Sequence, residues 1–381
     1  MPEMYTVEKK VSDGVFPRAP GSTTLPTDKI KLVYNKFTPK QPIPKETTKI
    51  NLVFAHGSGM NKGTWNYHIQ KLYEASEKYT SWKLNNIVAV DFFSHGDSAE
   101  LNREKIGWTA DWCDGGRDLV EVVKHEIRET GDFTPDGWTR NILVGHSLGG
   151  FAVLWAGYLE PQLFDSIISV EPVVQYTQAL NEWFFKRMIK AGKFIVNEYP
   201  SVEAAHEHLR KKTFYNVMEK NVLDGFLDDE LVVNKDGTVR IKAERRHQVA
   251  TYCGVSYSAE KGMTILKDLQ IPFYHITGAD ATWTPRESVD WIREEVPEHL
   301  LETADIPKGG HLVHGEQPLE SVRLWIDFID KRAKFTEEAR KNFPEVKYGN
   351  DRKKIFEEQW KFLEAVDVEN LYHYRYVRPK L

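Results

Sequence analysis

Short, nearly unbroken apolar runs alternate along this chain with longer stretches whose apolar residues recur at helical spacing. Ile30–Phe37 alternates like a half-buried strand, and Pro39–Lys45 then turns the chain. Ile50–Ala55, Ile87–Phe92 and Asn141–Val144 are apolar runs, each ending in a Gly- or His-containing loop and separated from the next by helix-compatible sequence. Such runs suit strands buried on both faces, and strand-helix alternation implies a parallel sheet with right-handed crossovers. The pattern continues with a helix over Phe151–Tyr158, a strand over Phe164–Val170 and, after a long gap, a strand over Phe273–Thr277. A helix over Arg286–Glu294, a short strand near Leu300–Ala304 and a helix over Glu316–Ile329 complete it. Val322, Trp325, Ile326 and Ile329 share one face of that last helix.

The gap carries information. Residues 172–265 hold clusters such as Trp183-Phe184-Phe185 and Phe194-Ile195-Val196 on a charged, helix-compatible background, more sequence than one crossover needs. A mostly helical cap inserted between two core strands accounts for it. The expected division is therefore an extended N-terminal arm at 1–27, a core at 28–171 and 266–331, the cap at 172–265, and a charged helical extension at 332–381. The extension is expected to pack on the outside through its Phe, Trp and Leu stems.

Composition narrows the class. A chain of 381 residues can bury one large core and still carry insertions. The net charge of −5 comes from intermixed acids and bases, so no broad cationic field exists to gather nucleic acid. Cys113 and Cys253 stand far apart with no metal-like spacing, which argues against a disulfide framework or structural zinc and for a reduced, intracellular compartment. His206, His208 and His247 have no ligand-like partners at useful spacing either, so no metal and no cofactor is expected. The start MPEMYTVEKKVSDG lacks an apolar signal core, and no run approaches the ~18 apolar residues of a transmembrane segment. A soluble protein is expected.

Three loops carry chemistry. Gly145-His146-Ser147-Leu148-Gly149 sits between an apolar strand and a helix, where glycines two before and two after Ser147 permit a sharp turn exposing its Oγ. The helix that follows aims its first amides at the same spot, and the Leu148 N–H can face a developing oxyanion. His56-Gly57-Ser58-Gly59, at the end of another strand, offers the Ser58 N–H as a second donor. Gly309-Gly310-His311-Leu312 comes late, between the last strand and a helix, and can bring a neutral imidazole over Ser147 as general base. Two carboxylates compete to orient His311: Glu171, directly after the Phe164–Val170 strand, which is preferred, and its rival Asp280, after the Phe273–Thr277 strand. Asp91-Phe92-Phe93-Ser94-His95-Gly96-Asp97-Ser98 reads as a structural lock between loops.

Taken in order, HGSG, D-x-x-x-H-G, GHSLG, an acid and GGHL make residues 28–331 resemble the α/β-hydrolase superfamily. The resemblance implies a mostly parallel eight-stranded sheet with a helical cap after the sixth strand. It also exposes a departure: the acid common in that family after a Gly-x-x would fall at Ala281, one residue past Asp280. The VEPVV segment at 170–174, the N-terminal arm and the long cap are most similar to fungal peroxisomal lipases. Pro379-Lys380-Leu381, preceded by Arg378, looks like a variant of the Ser-Lys-Leu peroxisomal address, which implies an import receptor as partner and the peroxisomal matrix as location, otherwise the cytoplasm. The function so implied is a serine carboxylic-ester hydrolase acting on acylglycerol or other lipid-like esters through an acyl-enzyme. A thioesterase or acyltransferase with the same residues, or a non-hydrolytic small-molecule-binding protein of the same fold, are the alternatives.

Overall fold

The computed structural model describes residues 4–174, 178–341 and 344–365. Its strands, in chain order, are β1 Tyr5–Asp13, β2 Lys31–Pro39, β3 Thr48–Ala55, β4 Trp82–Val90, β5 Thr139–His146, β6 Ser166–Val170, β7 Glu198–Tyr199, β8 Leu231–Val233, β9 Val239–Ile241, β10 Phe273–Gly278 and β11 Leu301–Ile306. Eight of them form one sheet in the order β1-β2-β4-β3-β5-β6-β10-β11. The pairs β1–β2 and β2–β4 are antiparallel and all others parallel.

The side chains of the central strands divide between two apolar layers with the period of two that a pleated strand imposes. Leu52, Phe54, Ile142 and Val144 pack under the helices Asn66–Ser76 and Pro318–Arg340, against Leu72 and Trp325. Val53, Ala55 and Leu143 face the other way, toward Leu119 and Leu154 of the helices Trp112–Glu129 and Leu148–Leu159. All of these side chains are fully buried. At roughly 1.5–3 kcal/mol for each large apolar side chain removed from water, the two layers hold the sheet rigid. The loops at the carboxyl ends of β3, β5, β6, β10 and β11 therefore stand on a stiff frame at one edge, where open α/β sheets collect their ligands.

The eighth strand lies inside the segment read as an extended arm. β1 pairs with β2 over its whole length, from Tyr5 opposite Pro39 to Asp13 opposite Lys31, yet most of its side chains are exposed. In its sequence, YTVEKKVSD, Val7 and Val11 stay about half exposed and Tyr5 packs on Phe37 and Tyr73, so the strand is held at the sheet edge mainly by backbone hydrogen bonds, and charged edges are how sheets avoid further pairing.

Between β6 and β10 the chain forms the helices Gln178–Gly192, Val202–Lys212, Lys220–Glu230, Arg245–Cys253 and Val255–Met263. It adds a small antiparallel sheet, β7-β9-β8, which the helical periodicity of this region does not announce. The inserted segment is riveted to the core by charge. Lys62, wholly buried, places its ammonium 2.8 Å from Asp91, 2.8 Å from Asp97 and 2.6 Å from Asp229 of the inserted segment. Lys242 reaches back to Asp97 at 2.6 Å. The three carboxylates lie close enough to hold a cation between them, and the Lys62 ammonium fills that role. At the other end of the chain, the helix Arg352–Ala365 leaves Phe356, Trp360 and Leu363 at least half uncovered or nearly so, at 62%, 50% and 48% exposure. The expected packing of these stems on the body of the protein is not what the structure shows.

Candidate active site

Ser147 takes φ 53° and ψ −114°, a strained turn between β5 and the helix Leu148–Leu159. The glycines around it are sterically required. A Cβ at Gly145 would run into the Gly149 carbonyl, and one at Gly149 into the Ala55 carbonyl of β3. The turn is held by the Ser147 N–H donating to Val170 O at 3.0 Å and the Phe151 N–H donating to Ser147 O at 3.0 Å.

His311 arrives from the loop after β11. Its Nε2 lies 3.1 Å from Ser147 Oγ and its Nδ1 lies 3.1 Å from Glu171 Oε2. Gly309 and Gly310 let that loop pass close to its neighbours: side chains there would strike Val313 and Glu316. The ring is stacked on Trp283, centroids 5.4 Å apart, and the His311 carbonyl accepts from His146 Nε2 at 2.8 Å. The histidine inside the GHSLG pentapeptide thus positions the second loop, a role not assigned from sequence.

The structure separates the two competing acids. Glu171 is buried, in a left-handed backbone conformation at φ 50°. It is held there by its N–H donating to Ile276 O at 2.8 Å and by the Gly278 N–H donating to its Oε1 at 2.8 Å. Asp280 is exposed, and the hydrogen bond it makes to the His311 loop is from its backbone N–H to Gly309 O at 2.9 Å. The register explains this. Ile276 of β10 sits opposite Val170 of β6, so Glu171 emerges beside Gly278, and Asp280 lies past the strand end in a turn closed by the Ala281 N–H on Gly278 O.

Burial moves both members of the His311–Glu171 pair toward neutrality. It pulls the imidazole down from its ordinary 6.5 to about 3. It pushes the carboxyl up to about 8, against the opposing Gly278 N–H. The two groups touch and titrate as one unit.

Ser58 and Leu148 flank Ser147, and neither backbone N–H finds an acceptor among the described residues. The Ser58 loop is pinned from several sides. Its carbonyl accepts from Tyr252 OH at 3.0 Å, the next carbonyl, Gly59 O, accepts from Tyr215 OH, and the Gly59 N–H donates to His95 Nε2 at 3.0 Å. His56 donates from Nδ1 to Gly57 O at 2.8 Å and accepts the Phe92 N–H at 3.2 Å, so this histidine is wired into the backbone. Asp91 completes the lock by accepting from the Lys62 and Asp97 N–H groups at 2.7 and 2.8 Å. The loops that could hold an oxyanion are in this way preorganised partly by tyrosines of the inserted segment, which no local motif in the sequence marks.

Ser147 and His311 open into a cavity of about 490 Å³, lined mainly by apolar groups from the inserted segment, among them Met188, Leu209, Phe226 and Val249. A mostly parallel sheet with helices on both faces, a serine on a strained strand-to-helix turn and a histidine delivered by a late loop define the α/β-hydrolase class. The chain belongs to the α/β-hydrolase family, whose family model matches residues 52–324. It is 29% identical over 336 residues to the peroxisomal membrane protein LPX1 of Saccharomyces cerevisiae, covering 82% of this chain and 84% of that one. The solved structure of that yeast peroxisomal α/β-hydrolase superposes with a TM-score of 0.78, at 27% identity over 87% of this chain and 90% of the other. A shorter similarity, 30% over 175 residues, links it to the type I acyl-CoA thioesterase mpaH of Penicillium roqueforti, spanning 45% of this chain and 38% of the relative. No helix among the described residues is long and apolar enough to cross a membrane.

Proposed function

We propose that this hydrolase cleaves carboxylic esters of lipid-like acids through an acyl-enzyme on Ser147. The observation that carries the proposal is the unbroken line from Ser147 Oγ to His311 Nε2 and from His311 Nδ1 to Glu171, each step 3.1 Å. His311 takes the Ser147 proton as Oγ bonds to the acyl carbon, and the carbonyl oxygen becomes an oxyanion between the Ser58 and Leu148 N–H groups. Collapse breaks the bond to the leaving group, which departs with the proton from His311. Water then adds to the acyl carbon, losing a proton to His311, and Ser147 is expelled and reprotonated as the acid leaves. Glu171 stabilises the imidazolium each time it forms. The apolar cavity supports an apolar acyl or spacer group next to the serine.

The similarity to the Penicillium thioesterases favours a second reading in which the same residues cleave a thioester. Residence in the peroxisome belongs to the same proposal, supported by the similarity to a peroxisomal protein of yeast. Pro379-Lys380-Leu381, the segment expected to meet an import receptor, lies outside the described residues. Imaging a fluorescent fusion with and without those three residues tests that part.

For the chemistry, a fluorophosphonate probe is mapped by mass spectrometry on the native protein and on Ser147→Ala, beside turnover of short and long nitrophenyl esters. Labelling at Ser147 that vanishes in the variant together with turnover is the expected result. A folded protein that neither labels nor turns over any ester would return the weight to a non-hydrolytic binding role.

A further inference from the structure

The cations and the acids that line the cavity differ in how they are partnered. Four of its lining residues are basic or carboxylic: Arg187, Lys212, Glu230 and Glu316. Both acids are occupied. Glu230 accepts from Asn61 Nδ2 at 3.0 Å and from the Ala243 N–H at 3.1 Å, and Glu316 accepts from the Gly310 N–H at 2.8 Å. Neither cation has an acidic partner among the described residues.

The neighbours of these cations sharpen the contrast. In the run Arg210-Lys211-Lys212, Arg210 pairs with Asp224 and Lys211 with Glu207, while Lys212, the one that lines the cavity, is left open. On the helix Gln178–Gly192, Lys186 pairs with Glu182, whereas Arg187 lies over the Trp183 ring, 4.8 Å from its centroid. Both cavity cations are exposed, so they stand at the mouth, with Ser147 buried at the inner end. Residues 183–214, which supply this rim, hold seven cations and three acids in a chain whose net charge is −5. A local positive field on an otherwise acidic protein steers anions toward the opening.

We infer that Arg187 and Lys212 are specificity residues for an acyl substrate whose end remote from the carbonyl carries phosphate, as a coenzyme A thioester does. This rests on the reading of Ser147 as the nucleophile and adds the head group that the cavity selects. The arm that joins the thioester to the phosphate crosses the cavity from the serine to the rim, and the phosphate meets a planar guanidinium that can bind two of its oxygens and an ammonium that supplies a point charge.

The test compares octanoyl-CoA with octanoyl-pantetheine, the same thioester without the phosphates and the adenosine, on the native protein, on R187Q/K212Q and on the charge-conserving R187K/K212R. The expected result is that R187Q/K212Q raises KM for the CoA ester about tenfold more than for the pantetheine ester, and that R187K/K212R restores most of the discrimination. Added salt should raise KM for the CoA ester alone. Calorimetric binding of both thioesters to Ser147→Ala gives the same comparison without turnover, so a failure of the nucleophile assignment is separable from a failure of head-group recognition. An unchanged CoA-to-pantetheine ratio in R187Q/K212Q overturns the inference. It is equally overturned if R187Q/K212Q loses only its sedimentation with phosphatidylcholine–phosphatidylglycerol vesicles, which would assign the cations to a lipid surface.

Discussion

Replacing Glu171 by Gln keeps the shape of the side chain and its acceptor for the Gly278 N–H, but removes the negative charge 3.1 Å from His311 Nδ1. In the proposed reaction, where His311 takes the serine proton, an imidazolium forms beside that charge in a site where Glu171 is almost fully buried. Coulomb's law at 3.1 Å with an effective dielectric constant of about 20 puts the lost attraction at about 5 kcal/mol, or roughly 10³–10⁴ in rate. The glutamine NH₂ can also donate to Nδ1 and stabilise the tautomer that carries its proton on Nε2, which cannot act as base. The pH profile gives an independent sign. The competent form of the pair is the one that has lost its extra proton, leaving neutral His311 hydrogen-bonded to ionised Glu171. Burial holds the Glu171 step up at about 8, so kcat/KM of the native protein should rise with pH through that region. In Glu171→Gln the residual rate should depend on His311 alone, whose own step is pulled well below 6.5, and the rising limb should move to acid pH. Initial rates on a nitrophenyl ester from pH 4 to 9, with thermal melts to verify folding, provide the assay. Activity within tenfold of native in Glu171→Gln, or a 10³-fold loss in Asp280→Asn instead, would refute this assignment.

Gly149→Ala would force a methyl group into the Ala55 carbonyl, so the Ser147 turn must shift; turnover should fall at least about a hundredfold, and native-like kinetics would show that the turn has slack. Lys62→Met leaves Asp91, Asp97 and Asp229 without the ammonium at their centre and should cost about 3–5 kcal/mol in urea unfolding, with a loss under 1 kcal/mol contradicting the role of Lys62 as rivet. Burial pushes the Glu230 carboxyl up to about 7, so its contribution to stability is complete below its unfolded value near 4.5 and is lost as pH rises toward and through 7. Melting temperature should accordingly decline over that interval, and Glu230→Gln should flatten the decline; an identical slope in the variant would place the titration elsewhere.

Much of this site is local in origin. Ser147 and His311 were legible because each needs a backbone that only its immediate neighbours can supply: Gly145 and Gly149 around a strained serine, Gly309 and Gly310 before the histidine. The same holds for β3, β5, β6 and β10, whose burial on both faces leaves short, largely apolar runs. β1 was missed because an edge strand held by its hydrogen bonds to β2 has no need of apolar residues, and it therefore reads as a polar arm. The exposed stems of Arg352–Ala365 show the converse, since an apolar stripe on a helix states what could be covered and not whether anything covers it.

What the sequence by itself determined, then, was the class of fold and the two glycine-flanked loops that carry Ser147 and His311, both set by sterics and burial within windows of a few residues. Only the tertiary structure decided that Glu171 and not Asp280 meets His311, because a carboxylate 140 positions away is placed by the register of β6 against β10. The same is true of Arg187 and Lys212, which stand in cation-rich runs like any solvated helix face. They come to line one cavity, without acidic partners among the described residues, only when the inserted segment folds over Ser147 and leaves its nearby acids bound to other cations.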